Sequence, residues 1–346
     1  MNLSPFTNLT PKEFEVAWRS PSNIAFVKYW GKKGHQIPAN PSLSMTLKEC
    51  FTETKVHFKK SDELSVKLFL EGKESEKFAA KIQSYLGSLA ELPWLRNVSM
   101  DITTRNTFPH GTGIASSASG LSAFALCLTD YLYFLSGEKN DDLFMKRASH
   151  LARLASGSAC RSVLGGFSSW GESDLVNSND MYATPVDVHP DFAHLRDSIL
   201  VVSGKEKNVS STAGHGRMKD HHFAEARFTQ AKINFNGMVS ALKSGDLEAM
   251  GRILESEALT LHAMMMTSPE AYTLLKPKTL EAIEMIWDFR RETKLPLYFT
   301  LDAGPNLHLI YPEKYLNKIK TFIAHELSPL GEKIIEDERG EGPARC

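Results

Sequence analysis

Two hydrophobic periods run through this chain of 346 residues without taking strict turns. Alternation at every second position marks Ser65–Leu70 and Asn97–Thr103 as predicted strands. Short apolar runs at Ser198–Val202, Leu297–Leu301 and Leu307–Tyr311 read as three more. The last two flank D-A-G-P-N, whose Gly-Pro-Asn is a turn signal. Helical spacing takes over elsewhere. Glu76–Leu89 places Phe78, Ile82, Leu86 and Leu89 on one face, and Thr279–Arg290 carries Leu280, Ile283 and Trp287. Asp246 is positioned to N-cap Leu247–Ala263, with Leu247, Met250, Leu254, Ala258 and Leu261 on one stripe. Strands and helices mixed in this way favour an α+β fold over a doubly wound parallel sheet. The length suits two domains. A composition shift around Pro185–Asp197 sets the expected division at residues 1–190 and 191–346.

Composition narrows the class. The formal net charge is -1 and the pI is near 6.9, which argues against a nucleic-acid binder with a basic surface. Cys50, Cys127, Cys160 and Cys346 form no C-x-x-C pair, so neither a disulfide framework nor a cysteine zinc site is suggested. A reducing, cytoplasmic setting is expected. The first twenty residues lack the unbroken apolar core of a signal peptide. The most apolar stretch, Leu121–Leu135, contains Asp130 and is too short to span a bilayer, so no membrane partner is expected. His215, Asp220, His221 and His222 lack H-E-x-x-H spacing, and no metal ligands are assigned. Met264–Met266 reads as core or interface filler.

Five segments could carry chemistry. S-G-S-A-C-R at Ser156–Arg161 follows the amphipathic run Asp141–Ala155 directly and gathers small residues, two hydroxyls and one guanidinium. Guanidinium pairs with carboxylate or phosphate in a bidentate fork, and small neighbours allow close approach. P-H-G-T-G-I-A-S-S-A-S-G at Pro109–Gly120 lies between a strand and an apolar helix. It can cradle phosphate on glycine backbone, serine hydroxyls and a helix N-terminus, or it can be a structural turn. It is neither a Walker A loop nor a dinucleotide fingerprint. Lys28, Tyr29, Trp30, Gly31, Lys32 and Lys33 end an apolar run and could face an anion, or form an exposed basic turn. Asp302 ends another apolar run, either as a reactive acid or as a turn cap. Ser203–His215 offers two lysines and four hydroxyls, or is a solvated loop.

Taken together these segments resemble the mevalonate diphosphate decarboxylases of the GHMP small-molecule kinase superfamily. The matching pieces are Asn23–Lys32, Pro41–Leu47 (P-S-L-S-M-T-L), Gly113–Gly120, Ser156–Phe167, Val209–Gly214 and Asp302–Asn306, in the family's order. K-Y-W-G-K and S-G-S-A-C-R are the specific signatures. The resemblance implies a GHMP-kinase-like two-domain fold with a ribosomal protein S5 domain 2-like N-terminal domain that binds ATP, a ferredoxin-like C-terminal domain, and an active site in the cleft between them. It also implies ATP and Mg2+ as cofactors, a homodimer, and ATP-dependent decarboxylation of mevalonate 5-diphosphate to isopentenyl diphosphate, ADP, phosphate and CO2.

Roles follow from the same resemblance. Asp302 would accept the proton of the tertiary hydroxyl and stabilise positive charge at that carbon. Lys28 would support the ionised form of Asp302 and compensate phosphate charge, and Arg161 would hold the substrate carboxylate. Tyr29, Trp30, Gly31, Lys32, Ser156, Gly157, Ser158, Ala159, Cys160, Ser211 and Thr212 would bind the rest of the substrate. Gly111, Gly113, Ser116, Ser117, Ser119 and Gly120 would cradle ATP. The chain departs from the family pattern at His110-Gly111-Thr112, Gln36, Lys77 and His215. Three alternatives follow: a decarboxylase of mevalonate 5-phosphate, a mevalonate 3-kinase, and a superfamily member that binds a partner without catalysis. Joint retention of Lys28 and Asp302 speaks against the second. Intact Asp302, Arg161 and serine loop speak against the third.

Overall fold

The computed structural model describes residues 3–109, 114, 116–205 and 209–346. Two long strands, β1 (Phe14–Val27) and β4 (Ser42–Lys60), pair antiparallel from Phe14 opposite Phe58 to Val27 opposite Leu43. Irregularities at Pro21/Asn23 and Ala25/Val27 bend the pair, and the first falls at Pro21, which cannot donate to a ladder. A short hairpin of β2 (Lys32–Gly34) and β3 (Ile37–Pro38) connects them. The first sheet is completed by β5 (Ser65–Leu70), β6 (Lys73–Glu74), β7 (Val98–Asn106), β8 (Phe167–Trp170), β9 (Thr184–Pro185) and, far along the chain, β14 (Ala344–Arg345).

Helix α1 (Glu76–Ser88) flanks this sheet, while α2 (Ser116–Ser136) and α3 (Asp141–Ala155) pack against each other beneath it. The α2 helix is apolar on nearly every side because it is buried on nearly every side. It begins five residues before the expected Leu121, since Ser116–Gly120 already adopt helical geometry. Its 21 residues are thus long and apolar enough to cross a membrane, yet 83% of its most apolar window is buried within the protein.

The second sheet has the order β11 (Tyr298–Thr300), β12 (Leu307–Pro312), β10 (Leu195–Val201) and β13 (Lys333–Glu338). It is covered by α5 (Ala224–Ser244), α6 (Leu247–Met266), α7 (Pro277–Thr293) and α8 (Leu316–Phe322). A short α4 (Ser211–Gly216) precedes them. Asp246 caps α6 by accepting the Ala249 N–H at 2.9 Å, as expected. Leu280, expected on the inner face of α7, is exposed; Thr279, Ala282, Ile283 and Ile286 occupy that face.

The two sheets share one core. Ile24, Phe26, Val27, Leu43 and Met45 of the β1–β4 pair pack with Ile199, Phe235, Met238, Leu254 and Ile310 of the second layer. The ends of β1 and β4 are therefore buried on both faces, and every residue from Ser20 to Lys28 is inaccessible. The buried Asp337 carboxylate of β13 reinforces the junction by accepting the N–H groups of Lys48, Glu49 and Cys50 at 2.8–2.9 Å. The last strand leaves the second sheet, and β14 pairs with β1. The fold is α+β, with β1 carrying Lys28 into the seam between the layers.

Candidate active site

A broad cleft, open to solvent, lies at that seam. Its walls bring together segments separated by up to 274 positions, because β1, the turn after α3, α4 and the β11–β12 connection all end there. Of the expected site residues, Lys28, Tyr29, Trp30, Lys32, Ser116, Ser117, Ser156, Gly157, Ser158, Arg161, Ser211, Thr212 and Asp302 line it. Five cationic side chains, Lys28, Lys32, Lys77, Lys81 and Arg161, face one carboxylate, Asp302. Such a lining, in walls of low polarisability, concentrates anions.

At its base Lys28 Nζ sits 2.8 Å from Asp302 Oδ1. The lysine side chain is 2% exposed and the aspartate 25%, so the aspartate offers the accessible surface of the pair. Burial pushes the Lys28 ammonium below its ordinary range, against the opposing pull of Asp302 and Glu257, while Arg161 adds to the lowering. Arg161 is 2% exposed and held by two hydroxyls: Nε donates to Ser44 Oγ at 2.9 Å and an Nη to Ser42 Oγ at 2.5 Å. Ser42 and Ser44 point the same way because successive strand side chains alternate. Among the described residues no carboxylate pairs with this guanidinium. A buried cation with neutral partners only is costly unless an anion joins it. Tyr29 adds a second unmet need, since its hydroxyl is buried without a hydrogen-bond partner among the described residues.

Close packing shapes the S-G-S turn. A Cβ on Gly157 would come within 2.7 Å of Trp170 and 2.9 Å of Tyr29. Gly157→Ala is therefore expected to force the two rings apart and cost about 1–3 kcal/mol of stability, read as a lower urea midpoint at unchanged m-value. On the opposite wall, Gly31 has φ +105°, and its N–H donates to His215 Nδ1 at 3.0 Å. The His215 ring rests against Tyr29 and Trp30, with centroids 4.3 and 4.6 Å away.

Several expected site residues do not reach the cleft wall. Ala159 and Cys160 point into the core beneath the turn, where burial pushes the Cys160 thiol up to about 12. Gly31 is outside the lining itself and supports the wall through its N–H bond to His215. Ser119 is buried, bonded to Thr52 Oγ1 at 2.7 Å. Gly120 lines a small adjoining pocket, walled by Leu68, Leu70, Phe78, Ile82, Leu121 and Phe124. That pocket meets the cleft at Phe78, Lys81, Ser116 and Ser117. Gly111 and Gly113, with His110 and Thr112, lie outside the described residues. Sequence reasoning missed Lys81 and, within segments it singled out, gave no role to Ser210, Ser42 and Ser44. The S-L-S alternation held a usable signal for the last two.

No group of three or more His, Cys, Asp or Glu side chains that could cage a metal occurs among the described residues. Apart from Asp302, which Lys28 engages, the hard oxygen donors of the cleft are serine and threonine hydroxyls. That set suits a magnesium ion carried on phosphate groups rather than one held by protein alone.

Comparison with known proteins agrees with this geometry. Residues 20–183 match the model for a diphosphomevalonate decarboxylase-like N-terminal domain, and residues 197–342 match the mevalonate 5-diphosphate decarboxylase C-terminal domain. The diphosphomevalonate decarboxylase of Gibberella zeae is 30% identical over 323 residues, covering 88% of this chain and 82% of that one. A phosphomevalonate decarboxylase of Haloferax volcanii is 26% identical over 302 residues, covering 86% and 88%. A solved structure described as MDDEF in complex with MVAPP, AMPPCP and magnesium superposes with a TM-score of 0.84 at 28% identity, covering 96% of this chain and 99% of that one. With both halves matched in order around one anion-binding cleft, the chain belongs to the diphosphomevalonate decarboxylase family.

Proposed function

We infer that the protein decarboxylates mevalonate 5-diphosphate, consuming ATP with Mg2+ and yielding isopentenyl diphosphate, ADP, phosphate and CO2. The observation that carries this reading is the placement, in one cleft, of the Lys28–Asp302 pair and a buried Arg161 without a carboxylate partner among the described residues. Hydroxide leaves a tertiary carbon poorly, and phosphorylation turns that oxygen into a good leaving group. Asp302 accepts the hydroxyl proton as the oxygen bonds to the terminal phosphorus of ATP, displacing ADP. The new phosphate then departs with the C–O electron pair. The carboxylate C–C bond supplies the electrons of the new double bond, and CO2 leaves. The negative charge of Asp302 and Lys28 beside it face positive charge on carbon and negative charge on phosphate respectively. Arg161 fixes the carboxylate so that the breaking bond is aligned.

The remaining lining residues divide between the two substrates. Tyr29, Lys32, Ser156, Ser158, Ser211 and Thr212 supply donors for the diphosphate end. Ser116 and Ser117, at the N-terminus of α2, receive the ATP phosphates, and the adjoining apolar pocket takes the base. Magnesium would neutralise phosphate charge, with the Ser116 and Ser117 hydroxyls as the oxygen donors beside the ATP phosphates. Four free cysteines, three of them buried, suit the reducing cytoplasmic setting that belongs to the same proposal, as does the homodimer implied by the family resemblance.

The decisive assay measures CO2 and ADP release with mevalonate, its 5-phosphate and its 5-diphosphate. Stoichiometric release of both products is expected with the diphosphate at a kcat/KM at least about tenfold above the monophosphate, one extra charged contact being worth that much or more. A preference for the monophosphate would overturn the substrate assignment, and ADP without CO2 would make the protein a kinase.

A further inference from the structure

The Lys28–Asp302 pair joins two parts of the chain 274 positions apart, and one helix grips the main chain at both. Glu257 of α6 is fully buried, and its Oε2 accepts the Lys28 N–H at 2.8 Å. Five residues further along the same helix, His262 is 1% exposed, and its Nε2–H donates to the Asp302 carbonyl oxygen at 3.1 Å. Burial pushes the imidazole down to about 4, so the ring is neutral with its proton on Nε2. We propose that α6 is the positioning element of the reaction, with Glu257 and His262 as positioning residues that set the register of Lys28 against Asp302. The proposal rests on Lys28 and Asp302 being the reacting pair.

The surrounding bonds make Glu257 rigid. Its two oxygens also accept from both Nη groups of Arg227 at 2.8 and 2.6 Å and from Asn234 Nδ2 at 2.7 Å. The Arg227–Glu257 pair is 0% exposed on both sides. Asn40 holds the other face of the Lys28 residue, its Nδ2 donating to the Lys28 carbonyl at 3.0 Å. Lys28 thus has its N–H, its carbonyl and its ammonium each assigned to a different element, which leaves the ammonium little freedom of direction. A buried ion pair does not by itself imply stability. One that spends a carboxylate lone pair on the backbone of a reacting residue has a geometric use.

Glu257 also acts through its charge. The charged and titratable groups that act on Lys28 are Asp302 across the cleft, Glu257 and His262 on α6, Arg161 beside the carboxylate site, and Asp197 on β10. Glu257 raises the Lys28 ammonium against the lowering caused by burial. Removing its charge lowers that ammonium further, so the loss of rate at high pH begins at a lower pH.

The test compares Glu257→Gln, Arg227→Met/Glu257→Gln, His262→Phe and His262→Gln with the parent, using Asp302→Asn as reference. In the double variant no unpaired arginine is left buried, and the glutamine oxygen can still accept the Lys28 N–H. The glutamine variants at Glu257 are expected to shift the high-pH limb of kcat to lower pH. His262→Phe is expected to lose about 10–100-fold in kcat with KM for mevalonate 5-diphosphate within about threefold, and His262→Gln to recover at least about fivefold through its amide N–H. Unmoved pH limbs in folded variants at Glu257 together with parental kcat in His262→Phe would overturn the proposal. So would rate losses that simply follow lowered Tm, without rescue by His262→Gln. If Asp302→Asn itself keeps parental turnover, the reacting pair is misassigned and the underlying reading fails first.

Discussion

Asp302→Asn is expected to lower CO2 release by about 10³–10⁴-fold while nucleotide affinity stays within about threefold. The substitution keeps size and hydrogen-bonding reach but removes both the proton acceptor and the negative charge. It also deprives the buried Lys28 of the partner that offsets its desolvation. The two tasks assigned to Asp302 separate in the products. Were it needed only to accept the proton, substrate phosphorylated in advance at the tertiary oxygen would still release CO2 in the variant. Were it needed only to face the positive carbon, ADP would still form in the first turnover without CO2. Single-turnover measurement of both products, with and without the pre-phosphorylated substrate, distinguishes these cases, and the arrangement here predicts loss of ADP and loss of CO2 from either substrate. Nucleotide binding is insulated because its expected contacts, Ser116, Ser117 and the apolar pocket, come from the first sheet and α1–α2. Unchanged CO2 release would remove Asp302 from the mechanism.

The sequence made the chemistry of the cleft more legible than its frame. K-Y-W-G-K, S-G-S-A-C-R and D-A-G-P-N are local signatures, because each has to present backbone or a short side chain at one chain turn. The strand β4 does alternate at Ser42–Leu47 (S-L-S-M-T-L), yet its polar set is buried along with its apolar set, and Ser42 and Ser44 face Arg161 instead of solvent. The helix α5 escaped for the converse reason. Its inner face is built from Arg227, Ala231, Phe235 and Met238, and an arginine paired with a buried glutamate breaks any apolar stripe. Glu257 carried a faint signal. It lies three residues after Leu254 and four before Leu261, on the apolar side of α6, where a carboxylate must have a partner. Its partners are Arg227 and Asn234 on α5 and the N–H of Lys28, just past the end of β1 and more than 200 positions away, and no local pattern encodes that set. Cys160 shows the opposite limit: its motif placed it correctly in the chain, but only the packing beneath the turn shows that the thiol points inward. His215 lies in the cleft, bonded to Gly31 and resting on the two aromatic rings of the K-Y-W-G-K segment. At this departure from the family pattern a chemically different side chain borders the site without disrupting it.

Arg161→Met is expected to separate activity from stability in opposite directions. In the free protein the guanidinium is buried with Ser42 and Ser44 as its hydrogen-bond partners, and no carboxylate among the described residues pairs with it directly. Burial accordingly pushes it below its ordinary range, with Cys160, Asp302 and Tyr29 pulling the other way. Replacing such a group with an unbranched apolar side chain of similar length removes a desolvation penalty, so the ligand-free variant is expected to match or exceed the parent in Tm. Turnover responds in the other sense. The two serines use two of the five guanidinium N–H donors and leave a fork for the substrate carboxylate. Losing a desolvated charge-assisted pair of this kind costs about 2–4 kcal/mol, or roughly 30–1000-fold in kcat/KM. Substrate protection of the parent against thermal unfolding should shrink in the variant by the same factor in apparent affinity. Arg161→Lys should fall between the two, because it keeps the charge but cannot satisfy both serines and the carboxylate at once. A steep fall in the ligand-free Tm of Arg161→Met would identify Arg161 as a structural strut. A rise or no change in Tm, coupled to the loss of kcat/KM, would show that this cation is held in readiness for the carboxylate that leaves.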